Sequence, residues 1–379
     1  MKKLLFGLFS FLFFTSTIAI NISNYRFHTM PETSYYGGIH SITKDSIGRV
    51  WFSGYDALFV YDGNSYTSMN DLATHFFPRS YWSYGQVITD STKKLYVCTN
   101  HGLLKFNYQK KDFELVLKGN IGSATSGDDG TIWLVRNGRI ESFNPAKIPH
   151  VVYYPLPSDI VISNIIYFNK QLYVASTGKL YKLNTRTKRY SLFSTIGDES
   201  HVIKDVLEYN GLIYILTHMN GLYECNQHGK ILKHYNLLHK YDKSASAKKL
   251  YLDSSNIIWV ATQSGLFLLN PLTGEMDLLR FNIFEIFSLP NNSVWSIYPD
   301  SDGGVWIGTY GGKLAYMTFF DNNVNYYKST SGGLNHPIVS CFEEDRSGNL
   351  CSSTRMEALP VPYSQFMDRN RRWWIELLE

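Results

Sequence analysis

Apolar and polar residues alternate along this chain with the period of a β-strand, and the apolar positions are filled mainly by Val, Ile, Leu, Tyr, Phe and Trp. The runs are short and separated by turns rich in Asp, Asn and Gly, which predicts small antiparallel sheets and little helix. Val50-Trp51-Phe52 and Leu58-Phe59-Val60-Tyr61 show the arrangement: two strand-length runs separated by a tight turn at 54–57.

This unit is spelled seven times. An Asp/Gly turn leads to an aromatic residue that opens an apolar run, and a small-residue turn closes with Gly-Leu or Lys-Leu. The aromatic anchors are Trp51, Tyr96, Trp133, Tyr173, Tyr214, Trp259 and Trp306, at steps of 37 to 47 residues. That period fits one four-stranded blade per repeat. The spacing therefore predicts an all-β chain: a seven-bladed β-propeller of four-stranded antiparallel blades over residues 22–330, followed by a partial eighth repeat.

A lone blade has two apolar faces, so blades must stack around an axis, and the anchors are read as filling between neighbours. The turn Asp residues, such as Asp45, Asp253 and Asp300, are read as turn formers that cap backbone N–H groups. A calcium-loop reading of Asp300-Ser301-Asp302 lacks oxygen ligands at the following alternate positions, because Gly303 and Gly304 carry no side chain. Tyr25 to Met30 reads as a detached strand that pairs into the last blade and closes the ring.

An eighth unit, read as the start of a second propeller, begins over residues 331–350 and then loses the pattern. Residues 351–379 show neither strand alternation nor the Gly-Leu turn, so this segment is expected to lie outside the blades as an aberrant tail. Thr354-Arg355-Met356-Glu357-Ala358 can be encoded by nucleotides that, read out of frame, give Thr-Asp-Gly-Gly. The expectation is a shifted reading frame near Leu350 and a chain that is a fragment of a longer coding region.

The first 19 residues combine Lys2 and Lys3, an apolar stretch from Leu4 to Phe14, and small residues ending at Ala19. This predicts a cleaved secretory signal over 1–19, and no later window reaches the apolar length of a membrane span. The formal charge is +4; loss of Lys2 and Lys3 leaves about +2, too little to argue for nucleic acid or an anionic membrane. Cys98 and Cys225 fall in strand-like runs of different repeats and read as buried hydrophobes. Cys341 and Cys351 fall on adjacent strands of one hairpin, where a local bridge is open.

Two of the repeats, NIIWVATQSGLFLLNPLTG and GGVWIGTYGGKLAYM, resemble the two-component regulator propeller repeat. The resemblance covers residues 22 to 350; it is strongest at Trp51, Trp259 and Trp306, and weaker at Tyr173 and Tyr214, where Asn169 and Asn210 replace the turn Asp. It implies the periplasmic sensor region of a bacterial hybrid two-component system, truncated here. In that family two propellers precede an immunoglobulin-like domain, a membrane helix, a histidine kinase and a DNA-binding output, and the usual ligands are oligosaccharides. It also implies dimerisation through parts missing from this chain. No kinase His box, nucleotide-binding glycine loop or helix-turn-helix is present in these residues, so no enzymatic activity, no signalling output and no cofactor are expected.

In a propeller, the loops entering each first strand share a face with those joining second to third strands. That face is expected to collect the ligand-binding residues Arg79, Tyr81, Trp82, Tyr35, Tyr36, His201 and Trp295, together with Tyr84, His101 and His218. Aromatic rings beside a guanidinium suit the apolar faces and hydroxyls of a sugar. Trp82, with Phe76 and Phe77, serves equally well as filling between blades. His228, His234 and His239 have no carboxylate or Cys to complete a zinc geometry, so no metal site is expected. Two other classes stay open: a propeller lyase or hydrolase, needing convergent titratable groups near the axis, and a protein-interaction scaffold, needing an exposed apolar patch.

Overall fold

The computed structural model describes residues 20, 22, 25–30, 35, 37–74, 83–148, 150–237 and 246–318, with strands at 339–344, 350–354, 363–367 and 373–377. Seven four-stranded antiparallel sheets form the blades of a propeller, over residues 41–68, 84–118, 121–154, 164–195, 203–235, 247–279 and 294–318. The seventh takes its fourth strand from Phe27–Thr29, which pairs antiparallel with Leu314–Thr318. The predicted closing strand is therefore present, and the ring is sealed by hydrogen bonds between the two ends of the repeat array. Among the described residues the helix is confined to Asn70–Thr74.

All seven anchors lie on the second strand of their blade and are buried, at 0–8% exposure. Each packs across a seam. Trp51 contacts a cluster with Val87, Phe106 and Phe113 of the next blade. Trp259 does the same with Val294 and Val305, and Trp306 closes the circle against Phe52 and Phe59 of the first blade. Single blades thus bury their faces only by stacking.

The turn Asp residues do more than cap. Asp45 Oδ1 accepts the backbone N–H groups of Ile47 and Arg49, while Oδ2 accepts the Trp51 indole N–H at 2.7 Å. Asp253 and Asp300 hold Trp259 and Trp306 in the same way, at 2.9 and 3.0 Å. Where the Asp is missing, the arrangement changes. Position 127 is Gly, and a side chain there would meet the Trp133 indole nitrogen at 3.3 Å. The Tyr214 hydroxyl instead donates to Glu224 on the neighbouring strand.

Asp300 and Asp302 both accept from the Lys44 ammonium of the first blade. The acidic turn is thus a second seal at the seam where the ring closes. Burial raises the Asp300 carboxyl, but Lys44 and the Trp306 indole overcome this and leave it below its ordinary range. A Ser296 hydroxyl donating to the Ile39 carbonyl at 2.8 Å adds a third link across the same seam.

The chain divides into two units, residues 1–319 and 320–379. In the second, Val339–Glu344, Leu350–Thr354, Tyr363–Met367 and Trp373–Leu377 form a four-stranded antiparallel sheet. Strands thus form within 351–379 although the sequence there shows neither strand alternation nor the Gly-Leu turn. YSQFM and WWIEL are rich enough in aromatic and apolar residues to pair, and pairing satisfies backbone groups that a solitary hairpin leaves open on its edges. Cys341 stands opposite Ser353 and Cys351 opposite Glu343, so the two cysteines sit on paired strands but not opposite each other. The expected signal segment lies outside the described residues; among those described, no helix is long and apolar enough to cross a membrane.

Candidate functional site

The first strands of all seven blades line a central channel of about 810 Å³. At one end, the loops joining second to third strands are tied to the segments entering first strands. The backbone N–H groups of His218, Gln263 and Tyr310 donate to the carbonyls of Val202, Ser246 and Ser293. The face predicted from propeller geometry is therefore the face observed.

Strand register shows which residues ring this mouth. The anchors pair with Thr43, Ile88, Thr125, Ile166, Leu207, Tyr251 and Tyr298 on the first strands. Three residues earlier in each strand stand His40, Gly85, Gly122, Ser163, Lys204, Lys248 and Trp295. The ring is lopsided. Three consecutive blades contribute two glycines and a serine, and the other four contribute two lysines, an indole and an imidazole. In five blades the register shifts at this point: around Gly85 and Gly122, and, where a large side chain stands, between 203 and 205, 247 and 249, and 294 and 296. A β-bulge re-aims the side chain it carries, and all three of these side chains line the channel.

The large residues touch one another. The rings of His40 and Trp295 stack at 4.6 Å with 6° between their planes. Lys248 Nζ lies 4.6 Å from the Trp295 ring centroid, and its ammonium donates to the Ser246 hydroxyl at 2.8 Å. Ser246 is also hydrogen-bonded to His218 Nδ1, which donates to the Ala247 carbonyl. The Trp295 indole N–H is fixed by the Ser293 hydroxyl at 2.8 Å. Gly38 allows the backbone onto this indole, because a Cβ there would lie 2.7 Å from the ring. Together His218, Ser246, Lys248, Gln263, Trp295 and Tyr310 line a cavity of about 570 Å³ opening at the mouth. Tyr310 is 51% exposed and forms its outer wall.

This mouth is basic and short of counter-charge. Burial lowers the Lys204 and Lys248 ammonium pKa values, and at Lys248 the charge of Lys204 adds to the effect. Burial, then the charge of Lys248, lowers His40. Burial also lowers His218, reinforced by Lys204 and Lys248 and opposed by the Ala247 carbonyl. Asp205 is adjacent in sequence to Lys204, but its carboxylate faces Lys249 Nζ at 2.9 Å and the backbone N–H groups of Val206 and Leu250.

Of the residues singled out from sequence, Trp295 lies in this cavity. His218, placed on the same face, lines it as well. His201 turns back on its own loop, with Nδ1 3.0 Å from Asp198 and 3.2 Å from the Ser200 hydroxyl. Tyr35 packs against Phe59, and its hydroxyl accepts the Tyr55 N–H and donates to the Gly38 carbonyl. Arg79, Tyr81, Trp82 and Tyr36 lie outside the described residues. Sequence reasoning missed Lys204, Lys248 and His40. The signal that finds them is their equivalent register position, visible once each anchor's partner is known.

The rim offers a different surface. Around Tyr25, Phe27 and Phe287, a cavity of about 780 Å³ lies beside Phe281, Ile283 and Phe284, and the last two are 77% and 91% exposed. Cleft and apolar patch thus coexist. Among the described residues, no three His, Cys, Asp or Glu side chains come close enough to hold a metal ion.

The ring with its basic aromatic mouth can be compared with known proteins. Residues 288–311, which hold the seventh first strand and Trp306, match the family model described as two component regulator propeller. The repeat around Trp306 thus matches the two-component regulator propeller repeat over these residues. No curated protein matches the chain.

Among solved structures, the chain is similar to the extracellular domain of a hybrid two-component system from B. thetaiotaomicron. The TM-score is 0.64 at 20% identity, over 93% of this chain and 49% of that one. A second such domain from the same organism gives 0.64 at 18% identity, over 92% and 53%. Virginiamycin B lyase from Staphylococcus aureus gives 0.62 at 13% identity, over 78% and 99%. At these identities the likeness is one of fold. The chain spans about half the length of the two hybrid-system domains.

Proposed function

We propose that this ring is a ligand-sensing unit of an exported receptor of the hybrid two-component kind, and that the ligand it senses is an oligosaccharide. The observation that carries the reading is the mouth cavity. Trp295 and the half-exposed Tyr310 supply aromatic surface, and Lys248, Ser246, Gln263 and His218 supply polar groups around it. Sugars present apolar C–H faces and a rim of hydroxyls, and a site of mixed aromatic and hydrogen-bonding walls matches both. The family-model match and the fold shared with extracellular sensor domains support the receptor context. Recognition is assigned to the ring and transmission to the whole receptor.

Calorimetric titration of the purified chain with a panel of glycan fragments tests the reading. One fragment class binding with unit stoichiometry, and losing its affinity in a Tyr310→Ala variant of unchanged melting temperature, is the expected result. Binding that ignores the substitution moves the site elsewhere.

A second reading, a propeller lyase, draws on one observation: His40 and His218 are both held toward the neutral form at the mouth, as a general base requires. Incubation with uronate-containing polysaccharides separates the two. Product with the ultraviolet absorbance of an unsaturated sugar supports the lyase, and unchanged substrate leaves the sensor.

A further inference from the structure

We propose that the ligand of this mouth is an acidic sugar, whose carboxylate or sulfate group is held by Lys204 and Lys248. The inference rests on the sugar-binding reading and narrows it to an anionic class. Adjacent blades place the two lysines at the same register position, each at a bulge that turns its side chain into the channel. Among the described residues, neither has a carboxylate partner. Among the described residues that line the channel, the acidic one is Asp205, and it spends its oxygens on Lys249 and on two backbone N–H groups. Two half-buried ammonium groups on adjacent blades, with no carboxylate facing either among the described residues, form a site that an incoming anion completes.

The neighbours fit the same purpose. The Trp295 ring beside Lys248 gives the sugar body a wall, and His218 stands in hydrogen-bond contact with Ser246, which Lys248 also holds. At the equivalent positions across the mouth stand Gly85, Gly122 and Ser163, which carry little or no side chain. The lopsided ring thus has a recognition arc and an open arc. A neutral sugar would gain only hydroxyl hydrogen bonds from the lysines, whereas a charged one gains ion-paired hydrogen bonds with both.

The experiment is titration of the full chain with a neutral oligosaccharide, a uronate-bearing oligosaccharide, its carboxyl-reduced counterpart, a sulfated oligosaccharide, and citrate as a non-sugar anion. Lys204→Met and Lys248→Met are measured beside Lys93→Met, whose lysine lines the channel outside this mouth arc. The expected result is binding of the uronate or the sulfated oligomer only, weakened about tenfold to a hundredfold by either mouth substitution and unaffected by the control. Raised salt should weaken the wild type more than the variants. Which acidic oligomer binds distinguishes carboxylate from sulfate. Melting temperatures of the two variants should hold or rise, since each substitution relieves repulsion. Equal binding of the neutral or carboxyl-reduced sugar overturns the anionic assignment while leaving the sugar reading in place. Lysine-dependent binding of citrate with no sugar bound overturns the sugar reading and keeps the anion site. No binding in any arm overturns both.

Discussion

The Trp259 indole N–H donates to the Asp253 carboxylate at 2.9 Å, and the two residues stand six positions apart at the start and end of one turn. The same relationship joins Trp51 to Asp45 and Trp306 to Asp300. A single carboxylate therefore closes the turn through backbone N–H groups and fixes the orientation of the side chain that fills the seam. Turn and core are specified together.

Removing that carboxylate should cost more than a turn is worth. Asp253→Ala removes the acceptor shared by the buried Trp259 indole and the Ile257 N–H, and a loss of about 2–4 kcal/mol is expected from the buried hydrogen bonds deleted. Chemical denaturation checks it, with the exposed turn residue Asp62 as the comparison: Asp62→Ala should leave the midpoint nearly unchanged.

The closing strand should matter to the whole ring. Phe27 is buried in the cluster that contains Trp259 and Met317. Phe27→Ala should destabilise by about 3–5 kcal/mol. Because it loosens the seam rather than one blade, hydrogen exchange should accelerate in 294–318 before it does in 121–154.

Acid should open the neighbouring seam, where Asp300 of the seventh blade meets Lys44 of the first. Asp300 has a folded carboxyl pKa below its ordinary value, so its contribution to stability is present at neutral pH, begins to fall near the ordinary carboxyl pKa and is lost as pH drops through the folded one. In Lys44→Met that depression shrinks, and the variant's stability should depend less on pH below about 4 than the wild type's. Thermal melts across pH 2 to 6 measure the difference.

Cys98 and Cys225 are buried free thiols, and burial pushes the Cys98 thiol up to about 12. Thiolate is the reactive form. Native protein should leave both unlabelled by a maleimide over hours at pH 7, and denaturant should expose both at once.

The fold was legible in the sequence because its signal is repeated. Trp51, Trp259 and Trp306 mark equivalent strands, and the detached strand at Phe27 is the piece that a closed ring of such repeats lacks. The Asp-to-indole bond was half legible: the turn role shows in the spacing, but the hydrogen bond needs the folded geometry. The mouth was less so. Trp295 stands out as an aromatic outside the anchor series, whereas Lys204 and Lys248 look like ordinary strand lysines until the register and the bulges align them. The strands at 363–367 and 373–377 escaped because they pair without the Gly-Leu turn that marks the other blades.

The central claim, that the ring mouth is the recognition site, is tested most directly by a crystal structure of the chain grown with the tightest ligand of the glycan panel. The account predicts sugar density against Trp295 and Tyr310, with an acidic group within about 3 Å of the Lys204 or Lys248 ammonium. Density at the apolar rim beside Ile283 and Phe284, with an empty mouth, would contradict it.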